Sequence, residues 1–166
     1  MKFFAAFLIS CLFSLANAQP VLELTPEGFA AVALKRPPVP DERLLELAQS
    51  WPAFYYKGRE PYDIYDVTPN SLKIDGFKDN AFHYRNLGEV FQYRIKYTMA
   101  ITFRAETVEV QITIKETYAD RNITTLTVAD FFAPDGRLKE DYRDAKPSLE
   151  LTVNKLVRSF NGFINR

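Results

Sequence analysis

Disulfide bonds and a cysteine-based metal site are excluded before any pattern is read, and a single histidine does not by itself nominate a catalytic triad. Cysteine occurs once in the 166 residues, at Cys11, and histidine once, at His83. One thiol near the amino terminus cannot staple a fold, so stability must come from an ordinary hydrophobic core. His83 falls at no ligand spacing with Asp75 or Asp79, and the chain has no G-x-S-x-G elbow. Asp135, Gly136, Asp141 and Asp144 lack the alternating acidic pattern of a calcium loop and read as turn chemistry. No metal site and no cofactor is expected. An excess of charge is missing as well, with 21 basic against 21 acidic residues. Such a balance gives no long-range attraction for a polyanion, which removes the usual electrostatic term for nucleic acid. No apolar run reaches the ~18 residues of a membrane-spanning helix.

What the chain does have begins at its amino end. MKFFAAFLISCLFSLANA carries one positive charge at Lys2, an apolar run from Phe3 to Leu15, and small residues at Ala16 and Ala18. This is the pattern of a secretory leader over residues 1–18, cleaved before Gln19. A lipoprotein leader acylated at Cys11 is the alternative, but the apolar run before Cys11 is short and the LFSLANA after it is apolar where a tether is polar. Residues 19–166 then read as one domain, secreted or periplasmic, long enough to bury most of its surface.

Phe29 to Leu34 is a first strand by its apolar run, and KRPPVP is a stiff connector. Asp41 is placed to cap a helix whose apolar side is Leu44, Leu45, Leu47, Ala48 and Trp51, with Pro52 as its stop. Two short strands follow, around Tyr62–Val67 and from Leu72 to Gly76, separated by TPNS. FQYRIKYTMAITFR (91–104) and TVEVQITIKETY (107–118) alternate strictly. Closing them as a hairpin sets Phe103 opposite Val108, Met99 opposite Ile112 and Tyr97 opposite Ile114, so both apolar faces coincide. A slip of one residue would turn one strand inside out. The same register sets Lys96 opposite Lys115 and Arg94 opposite Thr117, which gathers positive charge at Arg94, Lys96 and Lys115. ITTLTVADFFAP is a further strand ending before the APDGR turn, 135–146 a charged loop, and Pro147 opens a last helix with Leu149, Val153, Leu156, Val157, Phe160, Phe163 and Ile164 as its stripe.

The order of elements predicts an α+β two-layer sandwich, an antiparallel sheet of about five strands packed against an N-terminal-half helix and a long C-terminal helix. A helix-grip arrangement is the alternative. Gly28 to Leu34, the LLELAQSW helix, the YRIKYTMAITFR strand and its TVEVQITI partner resemble a family of bacterial secreted domains of unknown function with a fold like that of the TATA-binding protein (TBP). The resemblance spans roughly Phe29 to Tyr118, with Trp51 and the aromatic-basic hairpin its most specific points. It implies a TBP-like fold and supplies no catalytic residues, and the DNA-binding role of the fold's namesake does not travel with the fold.

Three functions are compatible with these residues. The first expectation is a noncatalytic exported domain that binds a protein or surface polymer in the cell envelope. Arg94, Lys96 and Lys115 are its basic candidates, and Tyr55, Tyr56 and Tyr65 its aromatic ones. The second is a small-ligand carrier with a cavity between sheet and C-terminal helix. The third is a hydrolase using carboxylates such as Asp63, Asp66 and Asp75 near aromatic rings.

Overall fold

The computed structural model describes residues 21–86, 88–120 and 122–166. The expected leader, Cys11 and the cleavage position before Gln19 lie outside these residues. Two short strands, β1 (Leu24–Thr25) and β2 (Gly28–Phe29), pair with each other ahead of the main sheet. There follow β3 (Val32–Lys35), α1 (Asp41–Tyr56), β4 (Tyr62–Thr68), β5 (Ser71–Asn86), β6 (Glu89–Phe103), β7 (Thr107–Ala119), β8 (Asn122–Thr124) and α2 (Ala145–Ile164). The main sheet has six strands, antiparallel throughout, in the order β3-β7-β6-β5-β4. β8 joins the same outer edge of β7 as β3 does, at the other end.

Strict alternation on β6 and β7 drives the architecture. Ile95, Tyr97, Met99, Ile101 and Phe103 of β6 and Val108, Val110 and Ile112 of β7 are all buried on one face. Helix α2 lays Leu149, Val153, Leu156, Val157, Phe160 and Ile164 over that face, and α1 adds Leu44, Ala48 and Trp51. Trp51 is fully buried, stacked on Tyr55 at 5.0 Å and edge-on to Phe160 at 5.6 Å, with its indole N–H 3.2 Å from Ser159 Oγ. A large buried side chain of this kind contributes about 1.5–3 kcal/mol by removal from water. Trp51, Phe82, Tyr97, Phe131 and Phe160 together fill the layer between sheet and helices.

Where β4 stops, the edge of β5 is taken up by α2. Thr152 Oγ1 donates to the Ala81 carbonyl at 2.7 Å, and Ser148 Oγ lies 3.1 Å from His83 Nδ1. The amino end is tied to the same helix. Asn154, 6% exposed, accepts from Leu22 N at 2.9 Å and donates to Leu22 O at 2.8 Å, which satisfies a buried amide on both sides.

Several sequence expectations are corrected. The single strand expected over Phe29–Leu34 is split between β2 and β3, each with its own partner strand. Asp41 is the first helical residue rather than the cap; Pro40 occupies the cap position and Asp41 pairs with Arg36. Pro52 does not stop α1. The helix runs one further turn past this buried proline and ends where Lys57 turns left-handed, at φ 50°. That extra turn supplies Tyr55 and Tyr56. The second short strand is a 16-residue β5 that carries NAFHYRN as strand. Of the strand expected over ITTLTVADFFAP only Ile123 and Thr124 are strand, after Asn122, and a short 3-10 helix, Val128–Phe131, then inserts Phe131 into the core against Phe82 at 5.5 Å.

Candidate functional site

The second face of the sheet carries neither α1 nor α2 and is open to solvent at Lys73, Gln111 and Thr113. Its residues are the polar-phase positions of the strands, and two backbone irregularities decide what they do. The predicted hairpin register holds from Phe103–Val108 to Tyr97–Ile114, and then β7 bulges. Lys96 pairs with Glu116 and Arg94 with Tyr118, leaving Lys115 as the extra, exposed residue. The expected Lys96–Lys115 and Arg94–Thr117 pairings are therefore overturned. Without the bulge Glu116 would point into the core. With it, Thr117 does so instead, 2% exposed, its hydroxyl 2.6 Å from both the Leu126 carbonyl and Thr124 Oγ1. Lys96 gains Glu116 at 3.7 Å. The positive patch read from the sequence is thus locally neutralised.

The second irregularity lies in β5. Lys78 pairs with Ile95 and Phe82 with Tyr93, so Asp79, Asn80 and Ala81 stand against Arg94 alone, with Asn80 left-handed at φ 49°. The excursion brings Asp79 Oδ1 within 3.3 Å of Arg94 Nε. Glu60, in the connection from α1 to β4, accepts from the same guanidinium at 2.5 Å. Burial and a hydrogen bond with Asp79 push the Glu60 carboxyl above the usual carboxylate range, against the pull of Arg94. Arg94 Nε itself is buried without a hydrogen-bonded acceptor. The guanidinium lies 4.4 Å from the ring centre of Phe77, and Phe77 and Tyr118 sit 6.1 Å apart on the open face. A charge over a ring in this way contributes about 0.5–1 kcal/mol at an exposed site.

Two clefts flank this cluster. One, of about 530 Å³, is lined by Asn80, Gln92, Tyr118 and Asp120 together with Glu60, Asp79 and Arg94. The other, of about 330 Å³, lies between the end of α1 and β5, with Tyr55, Arg59, Phe77 and Lys78 in its walls. Glu60 and Asp79 form the partition between them.

Of the sequence candidates, Arg94 and Lys96 belong to the open face and Lys115 stands beside it at the bulge. Tyr65 is also on this face. Its hydroxyl donates to Asp75 Oδ1 at 2.9 Å, and Thr98 donates to the same oxygen at 2.6 Å. Tyr55 is half-buried at the second cleft, whereas Tyr56 is buried with its hydroxyl 2.5 Å from that of Tyr97. Asp63 and Asp75 are cross-strand partners, while Asp66, left-handed at φ 50°, is held by Lys73 at 2.8 Å. Glu60, Phe77 and Tyr118 escaped sequence reasoning. A ring at a polar-phase strand position was the available signal for Phe77; Tyr118 is in the apolar phase of β7 in sequence and reaches the open face only through the bulge.

The sheet order, the two helices on one face and the exposed opposite face define an α+β, TBP-like fold. The crystal structure of a TBP-like protein from Parabacteroides distasonis ATCC 8503 is similar to this chain with a TM-score of 0.55. The two are 13% identical, over 81% of this chain and 90% of that one. No protein-family model and no curated protein matches the chain. Among the described residues no helix is long and apolar enough to cross a membrane.

Proposed function

We propose that the protein is a noncatalytic exported domain that binds a protein or surface polymer of the cell envelope through its helix-free sheet face, and that it belongs with bacterial secreted domains of TBP-like fold. One observation carries this reading. The open face presents two rings, Phe77 at a polar-phase position and Tyr118 turned outward by the bulge, among charged side chains already fixed by Glu60, Asp79 and Glu116. Groups held in place before binding lose little conformational freedom when a partner arrives. The layer between sheet and helices is occupied by large side chains, which favours surface binding over internal carriage.

The test is capture from an envelope extract by the immobilised protein. The wild type retains a specific partner, and the Phe77→Ala/Tyr118→Ala double variant loses about tenfold in affinity, as anchors at the centre of a contact do. Retention unchanged in that variant removes the open face from the account.

Export rests on the pattern of residues 1–18 and has its own measurement. Produced with its leader in a bacterial host, the protein is expected in the periplasmic or secreted fraction with an intact mass that starts at Gln19. A lipid-modified mass starting at Cys11, or an uncleaved chain in the cytoplasm, overturns it.

A further inference from the structure

The main sheet ends in a strand with nothing beside it. β4 pairs with β5 on its inner side, and among the described residues no strand and no loop backbone pairs with its outer side. Alternate residues of an edge strand turn their N–H and C=O groups outward, where an added strand can bond to them. The ladder with β5 is regular from Tyr62–Gly76 to Tyr65–Lys73, then shifts around the left-handed Asp66 and closes at Thr68–Ser71. This bulge limits any added strand to a short one.

Side chains decide what that strand carries. Tyr62 and Ile64 lie on the helix side, with Tyr62 40% exposed and stacked on Tyr56. Asp63 and Tyr65 lie on the open face, and Asp63 stands directly opposite Asp75. Like charges so placed repel. Asp75 is held by the hydroxyls of Tyr65 and Thr98, whereas Asp63 has no side-chain partner among the described residues. The ion pair at this edge is spent elsewhere, Lys73 on Asp66 at 2.8 Å. Of the other cations on this side, Arg59 and Lys78 line the smaller cleft with Glu60 and Asp79, and Lys96 faces Glu116. Tyr65 already takes a cation near its ring, with Lys73 Nζ 5.9 Å from the centre.

A strand laid along β4 therefore meets apolar side chains on one face and a carboxylate with a ring on the other. Residues that alternate cationic and apolar suit both. A second copy does not, because β4 holds Asp63 and Asp66 and no lysine or arginine, and edge-to-edge pairing would set carboxylate toward carboxylate. We infer that β4 takes up a basic, extended peptide by strand addition, its cations beside Asp63 and Tyr65 and its alternate apolar residues beside Tyr62 and Ile64. This edge is separate from the Phe77 and Tyr118 rings and goes beyond the binding reading above. Its electrostatic part weakens with salt.

Fluorescence anisotropy of the full protein with short synthetic peptides tests this. The probe alternates lysine and valine. The comparisons are the same residues with the lysines in one block, a glutamate–valine alternation, and the lysine–valine peptide with an N-methylated backbone. Only the unmodified lysine–valine alternation is expected to bind, more weakly as salt is raised, and to slow amide hydrogen exchange across Tyr62–Thr68. Asp63→Lys is expected to lose about tenfold in affinity, with an unfolding midpoint no lower than that of the wild type because the repulsion with Asp75 is relieved. Asp63→Asn, which keeps the size of the side chain, loses part of that affinity. Tyr118→Ala, on β7, keeps the peptide. Equal binding of the blocked or N-methylated peptide, binding of the glutamate peptide, no binding at all, or unchanged affinity in Asp63→Lys overturns the inference. So does exchange slowed elsewhere and not at β4, or slowed at β4 by the protein pairing with itself as its own concentration rises.

Discussion

Gly76→Ala is expected to destabilise the protein by about 3 kcal/mol, the upper part of the range for forcing extra atoms into a packed core. Gly76 is buried on β5 where the end of α1 crosses the sheet. A Cβ there would lie 1.9 Å from Tyr56 Oη, 2.9 Å from Tyr56 Cζ and 3.3 Å from Tyr97 Oη. Tyr56 is held from two sides, its buried ring stacked on Tyr62 at 5.7 Å and edge-on to Tyr55 at 5.1 Å, so yielding to the new Cβ means shifting toward the smaller cleft and losing those contacts. Moving it also breaks the phenol pair with Tyr97. Urea unfolding of the single variants and the double variant checks the mechanism. Tyr56→Phe alone costs about 1–2 kcal/mol by orphaning the Tyr97 hydroxyl. In the Gly76→Ala background it removes the nearest clashing atom, so the combined loss is smaller than the sum. Additive losses, or a Gly76→Ala midpoint equal to the wild type, would rule out the close approach.

The same pair makes the fold sensitive to alkali. Burial raises the pKa of both phenols above the ordinary tyrosine value; for Tyr56 the hydrogen bond with Tyr97 works in the other direction but is outweighed. In the unfolded chain each phenol ionises near pH ~10. Above that pH the folded state therefore holds more protons than the unfolded state, and stability falls as pH rises. Two retained protons give a slope of about 2.7 kcal/mol per pH unit. Urea midpoints are expected to change little between pH 8 and about 9.5 and to drop steeply beyond, less steeply in Tyr97→Phe, where the raised phenols of Tyr55, Tyr93, Tyr118 and Tyr142 keep part of the slope. A tyrosinate absorbance titration provides the counter-test. Ionisation of all nine tyrosines near pH ~10 with the native near-ultraviolet circular dichroism retained would overturn the assignment.

The central hairpin was legible in sequence from Phe103–Val108 to Tyr97–Ile114, because alternation over that stretch admits one register in which no charge faces the core. The bulge at Lys115 was not, since its cause is tertiary: Thr117 finds partners for its hydroxyl inside, and Glu116 finds Lys96 outside. The length of β5 was hidden by Gly76, Asp79 and Asn80, which resemble turn residues. Gly76 is there for the approach of Tyr56, and Asp79 and Asn80 form the excursion opposite Arg94. Trp51 and the α2 stripe were readable from helical period alone. The Glu60–Asp79–Arg94 cluster was not, because its members come from three separate segments and meet only where β4 ends and β5 bulges.

The bond between Leu22 and Asn154 joins residues 132 positions apart. Strand β2 also meets β7, but both backbone polar groups of the buried Leu22 find their partner only on α2. The segment that is made first is thus secured only once the carboxy-terminal helix has formed, and is among the last to settle.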